Sequence, residues 1–210
     1  LKNIQDKLEK DGIKNITAEK TGCFGFCAKG PIVVIDPDEI FYELVKPEDA
    51  DDIVESVINN KVVERLLAKE NEKYVEKWHK LNFYSKQERI ALKNCGKINP
   101  EKIEEYIALD GYQALYKALH MSRDEVIDVI LNSGIRGRGG AGFPTGKKWK
   151  FAKEAKGDVK YVCCNADEGD PGAFMDRSIL EGDPNAVLEA MAIAGYAIGA
   201  KQGYIYVRAE

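Results

Sequence analysis

The amino-acid sequence predicts an α/β fold, and three observations support this prediction. A β-branched run at residues 31–36 is followed, across a Pro-Asp-Glu turn, by an apolar run at residues 40–45, which is the pattern of a β-hairpin. Strand-like runs at residues 160–165 and 203–207 flank a long helical pattern, as in a βαβ unit with parallel strands. Between these regions, residues 100–132 carry apolar side chains at helical spacing.

The elements before residue 95 form the first predicted region. Residues 16–18 are a candidate short strand ahead of the hairpin. A helix then begins at Pro47, with acidic residues in its first turn and with Ile53 and Val54 at core-facing positions. Residues 61–95 are charged and helical in propensity, so we expect a helical linker whose charges form a solvated face.

Composition excludes several function classes. The 210 residues carry a net charge of −4, which provides no electrostatic footprint for nucleic acid. No apolar run approaches the ~20 residues that span a bilayer. The five cysteines are an odd number without a secretory signal, which favours a reducing, cytoplasmic compartment. The chain starts at Leu1 and ends in a strand-like run, so we expect it to be cut at both ends.

A glycine-rich segment at residues 133–149 is the most informative part of the chain. Closely spaced glycines let successive backbone N–H groups point into one concavity that attracts anions, and a following helix N-terminus adds a favourable dipole. The segment therefore predicts a site for a phosphorylated cofactor, with a flexible surface turn as the alternative. Four of its six glycines are Gly137, Gly139, Gly140 and Gly142, and its four cations are Arg136, Arg138, Lys147 and Lys148.

The local context of this segment is helical. Three of its glycines match the dinucleotide fingerprint G-x-G-x-x-G, but that fingerprint requires a preceding strand. Ser122 and Glu125 instead form a capping box, and the apolar run at residues 126–131 is helical. We therefore expect a helix, the glycine loop and a second helix, which disfavours a standard Rossmann first turn. Asp183 is expected to cap the helix before the last strand.

Three carboxylates crowd the turn after the strand at residues 160–165. Asp167, Glu168 and Asp170 follow the carboxyl end of this strand, where α/β sheets bind ligands, and Asn165 lies at the same edge. Such carboxylates accept hydrogen bonds from ribose hydroxyls or flavin N–H groups. The alternative is a solvated acidic turn.

The cysteines fall into two groups. Cys23 and Cys27 lie four residues apart on glycine-rich backbone, the kind of loop that wraps an iron–sulfur cluster, but two thiolates are half of a ligand set. Cys163 and Cys164 are neighbours on a strand and face opposite sides of it. We expect these two and Cys95 to be buried core residues.

Two segments resemble the signature sequences of a known family, the flavin-carrying, NADH-oxidising subunits of respiratory complex I and their soluble relatives. They are residues 137–149, GRGGAGFPTGKKW, and residues 164–168, CNADE, and with residues 203–208 they cover the last third of the chain. Residues 169–177, GDPGAFMDR, and the N-terminal region are more similar to the soluble branch. That branch comprises β subunits of NAD(P)-linked iron hydrogenases and formate dehydrogenases.

The resemblance implies a domain organisation. Residues 1–60 would be the C-terminal half of a thioredoxin-like 2Fe-2S ferredoxin domain, and residues 61–95 the helical linker. Residues 96–210 would be the N-terminal part of an FMN- and NAD(H)-binding domain with an incomplete Rossmann-like parallel βαβ fold. Cys23 and Cys27 would supply half of the 2Fe-2S ligands. The family's 4Fe-4S ligands and a later flavin-contacting segment would lie beyond the chain end.

The resemblance also implies the site residues. FMN lies at the strand ends with the dinucleotide stacked over its ring, and the glycine loop lies along one side. Lys148 reaches the flavin, and two phenylalanines sandwich the adenine of NADH. Asp170 replaces a glutamate of the complex I branch, and Glu168 is the expected catalytic residue, with an electrostatic role near the flavin. The implied cofactor-binding residues are Gly137, Arg138, Gly139, Gly140, Gly142, Phe143, Lys148, Phe151, Asn165, Asp167, Glu168 and Asp170.

The implied function is that of the electron-input subunit of an oxidoreductase, an NAD(P)H dehydrogenase or diaphorase. Hydride transfer between NAD(P)H and FMN is followed by one-electron transfer to iron–sulfur clusters, with NADH and NADPH both open. The expected partners are a small thioredoxin-like ferredoxin subunit and a hydrogenase or formate dehydrogenase subunit, with no nucleic acid and no direct membrane insertion. We expect the fragment to be inactive alone. The alternative is a non-catalytic electron-relay or scaffold subunit that binds partner subunits.

Overall fold

The computed structural model describes residues 1–208 and confirms a mixed α/β fold with small sheets. The chain divides into two compact units, residues 1–99 and residues 100–210. The last two residues of the predicted FMN- and NAD(H)-binding domain, Ala209 and Glu210, lie outside the described residues. Within residues 1–208, no helix is both long and apolar enough to cross a bilayer.

The first unit contains two antiparallel hairpins and three helices. The predicted hairpin is present, with Val34 opposite Phe41, and the predicted helix follows Pro47. Tyr42 and Ile53 are buried together where this hairpin and this helix meet. The elements are α1 (Lys2–Lys10), β1 (Val33–Ile35), β2 (Ile40–Tyr42), α2 (Ala50–Ile58), β3 (Ala68–Glu70), β4 (Lys73–Val75) and α3 (Asn82–Ser85).

The prediction of a helical linker at residues 61–95 is wrong. This segment contains the β3–β4 hairpin, which reverses at Asn71 and Glu72, with φ of +50° and +62°. It also contributes Leu81 to a buried core. The charges that suggested a solvated helix lie mostly at exposed positions of the segment, and burial of its apolar side chains decides its structure. Residues 16–18 form no strand either.

Within residues 100–208, the second unit contains six helices and a two-stranded parallel sheet. Cys163 pairs with Tyr204 and Asn165 with Tyr206 in the register of the sheet. A long helix packs on one face, where the Met191 side chain lies against Gly203. The elements are α4 (Ile103–Ala108), α5 (Gln113–Leu119), α6 (Arg123–Asn132), α7 (Thr145–Glu154), β5 (Tyr161–Ala166), α8 (Met175–Gly182), α9 (Pro184–Ile198) and β6 (Gln202–Val207).

The predicted helix caps are present. The Ser122 hydroxyl accepts a hydrogen bond from the Glu125 N–H at 3.3 Å, and the Glu125 carboxylate accepts one from the Ser122 N–H at 2.7 Å. The bond from the Ser122 backbone holds the pKa of Glu125 below its ordinary value. The Asp183 carboxylate caps α9 by accepting from the Ala186 N–H at 3.2 Å. Helices α6 and α9 therefore begin where the local sequence predicts.

A buried carboxylate joins α5 to α9. Glu189 is 7% exposed and accepts hydrogen bonds from the Tyr106 hydroxyl at 2.5 Å and from the N–H groups of Tyr112 and Leu115, both at 2.9 Å. Burial by itself raises the pKa of Glu189, but these bonds and one from the Ala114 N–H outweigh burial and hold the pKa below its ordinary value. The helical pattern of α9 gives no sign of this network.

Candidate functional site

The glycine loop lies between α6 and α7, as predicted. Helix α6 ends at Asn132, and α7 begins at Thr145. In the first turn of α7, a β-carbon on Gly146 would stand 2.6 Å from the backbone N and Cα of Leu131. That distance is well inside the roughly 3.5 Å of an ordinary carbon–carbon contact. Gly146 therefore allows the two helices to approach closely.

Two hydrogen bonds close the base of the loop. The Gly137 N–H donates to the Phe143 carbonyl at 2.9 Å. The Arg136 guanidinium donates to the Gly142 carbonyl at 3.0 Å, across the loop. The loop is therefore a turn that is closed at its neck.

The tip of the loop is open. Gly140 and Gly142 have φ of +97° and +61°, values that residues with a β-carbon rarely adopt. A β-carbon on Gly139, Gly140 or Gly142 would meet no other atom within 4 Å. Among the described residues, the N–H groups of Gly139 and Gly140 donate no hydrogen bond. The backbone donors that the predicted anion site requires are thus accessible.

The four cations of the segment differ in their surroundings. Arg136 is engaged with the loop backbone. Arg138, Lys147 and Lys148 are exposed, and none of the three has a hydrogen-bond or ion-pair partner within residues 1–208. Lys147 and Lys148 lie in the first turn of α7, beside the positive end of the helix dipole. Three positive charges are therefore available to an anionic ligand.

Two exposed aromatic rings stand beside the loop. The ring centroids of Phe143 and Phe151 are 6.4 Å apart, with an angle of 48° between the ring planes. Their residues are 48% and 60% exposed, respectively. A flat ring between them needs two van der Waals gaps, roughly 7 Å in total, and parallel planes. A small rotation of these exposed side chains would open that space.

The acidic turn follows the end of β5. The Asn165 side-chain oxygen accepts a hydrogen bond from the Asp167 N–H at 3.1 Å. The Glu168 carboxylate accepts from the N–H groups of Met175 at 2.7 Å and Arg177 at 3.3 Å, and also from the N–H between them in sequence. Glu168 therefore caps the N-terminus of α8, an arrangement that the helix dipole favours.

A cavity of about 280 Å³ lies beside the acidic turn. Its walls include Asp170, Phe174 and Arg177. Arg208, which follows β6, also lines it and donates to the Glu168 backbone carbonyl at 3.0 Å. The cavity therefore lies at the carboxyl end of both parallel strands, where such sheets bind ligands.

The structure places the predicted site residues on two surfaces of one unit. The glycine loop, Lys148 and the aromatic pair are carried by the α6–α7 pair, and the carboxylates and Asn165 by the end of β5. Helix α9 packs against both α7 and β5. Within the described chain, no hydrogen bond or ion pair links the loop to the acidic turn.

The cysteine pair of the first unit does not complete a metal site. Cys23 is half-buried and Cys27 exposed, and the Cys23 sulfur accepts a hydrogen bond from the Gly25 N–H at 3.3 Å. Both cysteines line an apolar cavity of about 480 Å³. Within residues 1–208, no group of three or more His, Cys, Asp and Glu side chains could hold a metal ion. An iron–sulfur cluster with four thiolates does not fit the residues present.

The prediction that the other three cysteines are buried in the core is confirmed only in part. Cys95 is buried, as predicted, but Cys163 is exposed and Cys164 is only half-buried. Burial raises the pKa of the Cys164 thiol. The prediction is wrong for Cys163 because α9 covers only one face of the β5–β6 sheet among the described residues, and Cys163 lies on the other.

Two contributions to the site were missed in the sequence. Arg136 closes the loop neck, and Gly146 allows the helices beside the loop to approach. For Gly146 a signal was available, since glycine is unfavourable inside a helix unless packing or function requires it. For Arg136 no such signal was available, because the sequence does not distinguish it from Arg138 in the same cationic cluster.

Comparison with known proteins identifies relatives of this chain. Residues 130–210 match the family described as the Nuo51 FMN-binding domain. The chain is 63% identical over 125 residues to "NADP-reducing hydrogenase subunit HndC" of Solidesulfovibrio fructosivorans, covering 60% of this chain and 25% of that protein. It is 55% identical over 121 residues to a subunit of NADH-quinone oxidoreductase of Aquifex aeolicus, covering 58% of this chain and 28% of that protein.

Two further matches are a curated relative and a solved structure. The chain is 49% identical over 96 residues to "NAD-reducing hydrogenase HoxS subunit alpha" of Cupriavidus necator, covering 46% of this chain and 16% of that protein. A crystal structure of an NAD⁺-reducing [NiFe]-hydrogenase in the air-oxidised state aligns with a TM-score of 0.46 and 23% identity, over 99% of this chain and 34% of that one. The chain spans about a quarter of the length of the first relatives. The sequence matches confirm the family resemblance.

Proposed function

We propose that this chain is the electron-input subunit of an oxidoreductase, in which hydride transfer between NAD(P)H and FMN precedes one-electron transfer to iron–sulfur clusters. The observation that carries the proposal is the open glycine loop, with three unpartnered cations within residues 1–208 and two exposed phenylalanines, in a segment that matches an FMN-binding family. Relatives described as subunits of NADH-quinone oxidoreductase and of NAD(P)-reducing hydrogenases support the same activity.

The residues present fit an FMN group. The free N–H groups of the loop tip and the side chain of Lys148 provide donors for phosphate and carbonyl oxygens. Asn165 and Asp167, at the end of β5, provide an amide and a carboxylate for ring nitrogens and carbonyls. Bound FMN supplies the hydride acceptor, which no protein side chain provides.

The aromatic pair suits the other substrate. Phe143 and Phe151 would hold the adenine of NAD(P)H, since both rings are exposed and close to the separation that a stacked ring needs. Asp170 borders the cavity at the strand ends and would face the nicotinamide half. Holding both rings in one geometry supplies much of the rate advantage in such a reaction.

Glu168 would act on the flavin as a fixed charge. Its carboxylate is oriented by N–H groups at the start of α8, including those of Met175 and Arg177. A charge that is already oriented needs no reorganisation during the reaction, which is the basis of electrostatic stabilisation in active sites. We assign Glu168 this electrostatic role and do not assign it a proton transfer.

We infer the finer organisation that the family resemblance implies. Residues 1–60 would belong to a thioredoxin-like ferredoxin domain, and residues 96–210 to a Rossmann-like domain, for which the parallel pairing of β5 with β6 is supporting evidence. Because Cys23 and Cys27 are half of a 2Fe-2S ligand set, the clusters would require ligands from elsewhere in the assembly. A small ferredoxin subunit and a hydrogenase or formate dehydrogenase subunit are the proposed partners, in the cytoplasm.

Flavin content and diaphorase activity test the proposal. The protein, purified with its natural partners, should show the flavin absorbance band and reduce an artificial dye with NADH or NADPH. Residues 1–210 alone are expected to do neither, because the chain spans about a quarter of the length of the relatives that it matches. A complex with bound partners but no flavin and no dye reduction would favour the non-catalytic relay or scaffold function instead.

The two neighbouring lysines of α7 provide a sharper test of the FMN site. Lys148→Ala is expected to weaken FMN retention more than Lys147→Ala, by about tenfold, which corresponds to about 1.4 kcal/mol. Both residues are exposed, so each substitution should leave the fold unchanged. Flavin released during gel filtration of the two variant complexes measures the difference. Equal flavin content in both would contradict the assignment of Lys148.

A further inference from the structure

We propose that Arg136 is a positioning residue of the glycine loop and does not bind the phosphate groups of the ligand. The proposal rests on the proposed function, because it concerns how the loop is prepared for the dinucleotide. The four cations of the segment have similar access to solvent, but only Arg136 donates to the loop backbone, at 3.0 Å from the Gly142 carbonyl. One N–H of its guanidinium is therefore already engaged by the protein itself.

The position of this bond in the loop is informative. Arg136 stands opposite Pro144 in an isolated antiparallel bridge, with the Thr145 N–H donating to the Ile135 carbonyl at 3.0 Å on the outer side. On the inner side the pairing ends with the bond from the Gly137 N–H to residue 143. Among the described residues, no backbone bond closes the loop nearer its tip. The hydrogen bond from the Arg136 guanidinium to the Gly142 carbonyl is therefore the one across the loop that lies nearest its open tip, among the described residues.

This closure acts on the aromatic pair. Gly142 precedes Phe143 directly, and its φ of +61° turns the chain back toward α7. Fixing the Gly142 carbonyl therefore restricts the direction from which Phe143 approaches Phe151. Without that bond, residues 138–142 would sample more conformations, and a ligand would have to order them on binding. Arg136 would thus act through preorganisation of the loop.

A positioning residue and a phosphate ligand respond differently to salt. Attraction between an exposed cation and a phosphate is screened as ionic strength rises. Preorganisation through a short bond within the loop is far less sensitive to salt, since no charge is brought to the ligand. Arg138 lies two residues away, is exposed and has no partner within residues 1–208, so it provides a matched control for a direct phosphate contact.

The test compares Arg136→Met with Arg138→Met in the purified complex, with KM for NADH and for NADPH measured at low and high ionic strength. We expect Arg136→Met to raise KM about tenfold, equivalent to about 1.4 kcal/mol, while the slope of KM against salt stays that of the wild type. Arg138→Met should raise KM at low salt and flatten the slope. A flattened slope in Arg136→Met would overturn the proposal, because it would show a direct contact with the phosphates.

A second measurement tests the proposal without relying on enzyme activity. Hydrogen exchange of the Gly137 N–H, which donates to residue 143, reports closure of the loop neck without any ligand. Arg136→Met should accelerate this exchange, and Arg138→Met should not. Unchanged exchange in Arg136→Met would overturn the positioning role. A wild-type complex that oxidises no NAD(P)H would contradict the proposed function instead, and the exchange result would still stand.

Discussion

Replacing Gly146 with alanine is expected to destabilise the unit of residues 100–210 by about 3 kcal/mol, the upper range for over-packed sites. The added methyl group would stand 2.6 Å from the backbone N and Cα of Leu131 and 2.8 Å from its Cγ. A flexible side chain could turn away from such a contact, but the backbone of α6 cannot. Helices α6 and α7 would have to separate, and thermal unfolding should occur roughly 10 °C lower.

Gly139→Ala is the matched control within the same segment. A β-carbon on Gly139 would meet no atom within 4 Å, and its φ is not in the left-handed region. Its free energy of unfolding should therefore change by less than about 0.5 kcal/mol, as for most surface substitutions. FMN retention by the complex should nevertheless fall, because the methyl group projects into the space that the ligand would occupy. Denaturation midpoints of both variants measure the contrast, and a wild-type midpoint for Gly146→Ala would show that the helices do not approach as described.

This contrast divides the glycines of the signature into two kinds. Gly139 and its neighbours at the loop tip leave space for a ligand, whereas Gly146 removes a side chain from a helix contact. Both kinds serve the same site, because α6 and α7 carry the two ends of the loop. A substitution series that scored only flavin loss would not separate them. Stability and flavin content therefore have to be measured together.

Local signals in the sequence predicted the elements around the site. The capping box at Ser122 and the apolar run after it place α6, and Asp183 places α9, because caps depend on residues three positions apart. The turn between residues 36 and 40 likewise placed the first hairpin. Residues 61–95 were predicted wrongly because their structure depends on burial of Leu81 and other distant contacts, which a charge pattern does not show.

Side-chain partners were less predictable than the elements. Arg136 and Arg138 are equivalent in the sequence, and only the fold shows that one of them closes the loop. Glu168 was correctly placed at the strand end, but its bonds to the start of α8 depend on how the acidic turn folds back. Cys163 was expected to be buried because unpaired cysteines usually are, but it lies on the exposed face of the sheet. Each of these depends on contacts between elements.

Glu189, the buried carboxylate of α9, is the clearest example of a side chain whose partners the sequence does not reveal. Its replacement is expected to have a second large effect on stability. Glu189→Gln is expected to lower the free energy of unfolding by about 3 kcal/mol at neutral pH, because buried donors are left without an acceptor. A glutamine amide has one acceptor oxygen, and its NH₂ group would face either the Tyr106 hydroxyl and the Tyr112 N–H, which share one carboxylate oxygen, or the Leu115 N–H on the other. Chemical denaturation of the wild type and the variant measures the difference.

The pH dependence of this difference tests its cause. The hydrogen bonds hold the folded-state pKa of Glu189 below its ordinary value of 4.5, although burial opposes them. The carboxylate therefore contributes its stability fully above pH 4.5, and this contribution is lost as the pH falls through the folded-state pKa. Protonated Glu189 has, like glutamine, one good acceptor oxygen, so the stabilities of wild type and variant should converge in acid.

Glu181→Gln is the control for this prediction. Glu181 is exposed on α8 and pairs with the equally exposed Arg177, so its loss should cost about 0.5 kcal/mol or less. If the gap between wild type and Glu189→Gln stayed constant from pH 7 to pH 3, the charge of Glu189 would not be what joins α5 to α9. Convergence in acid would instead show that ionised Glu189 stabilises the packing of α5 on α9. The packing of the helix that contacts both α7 and β5 would then depend in part on this buried charge.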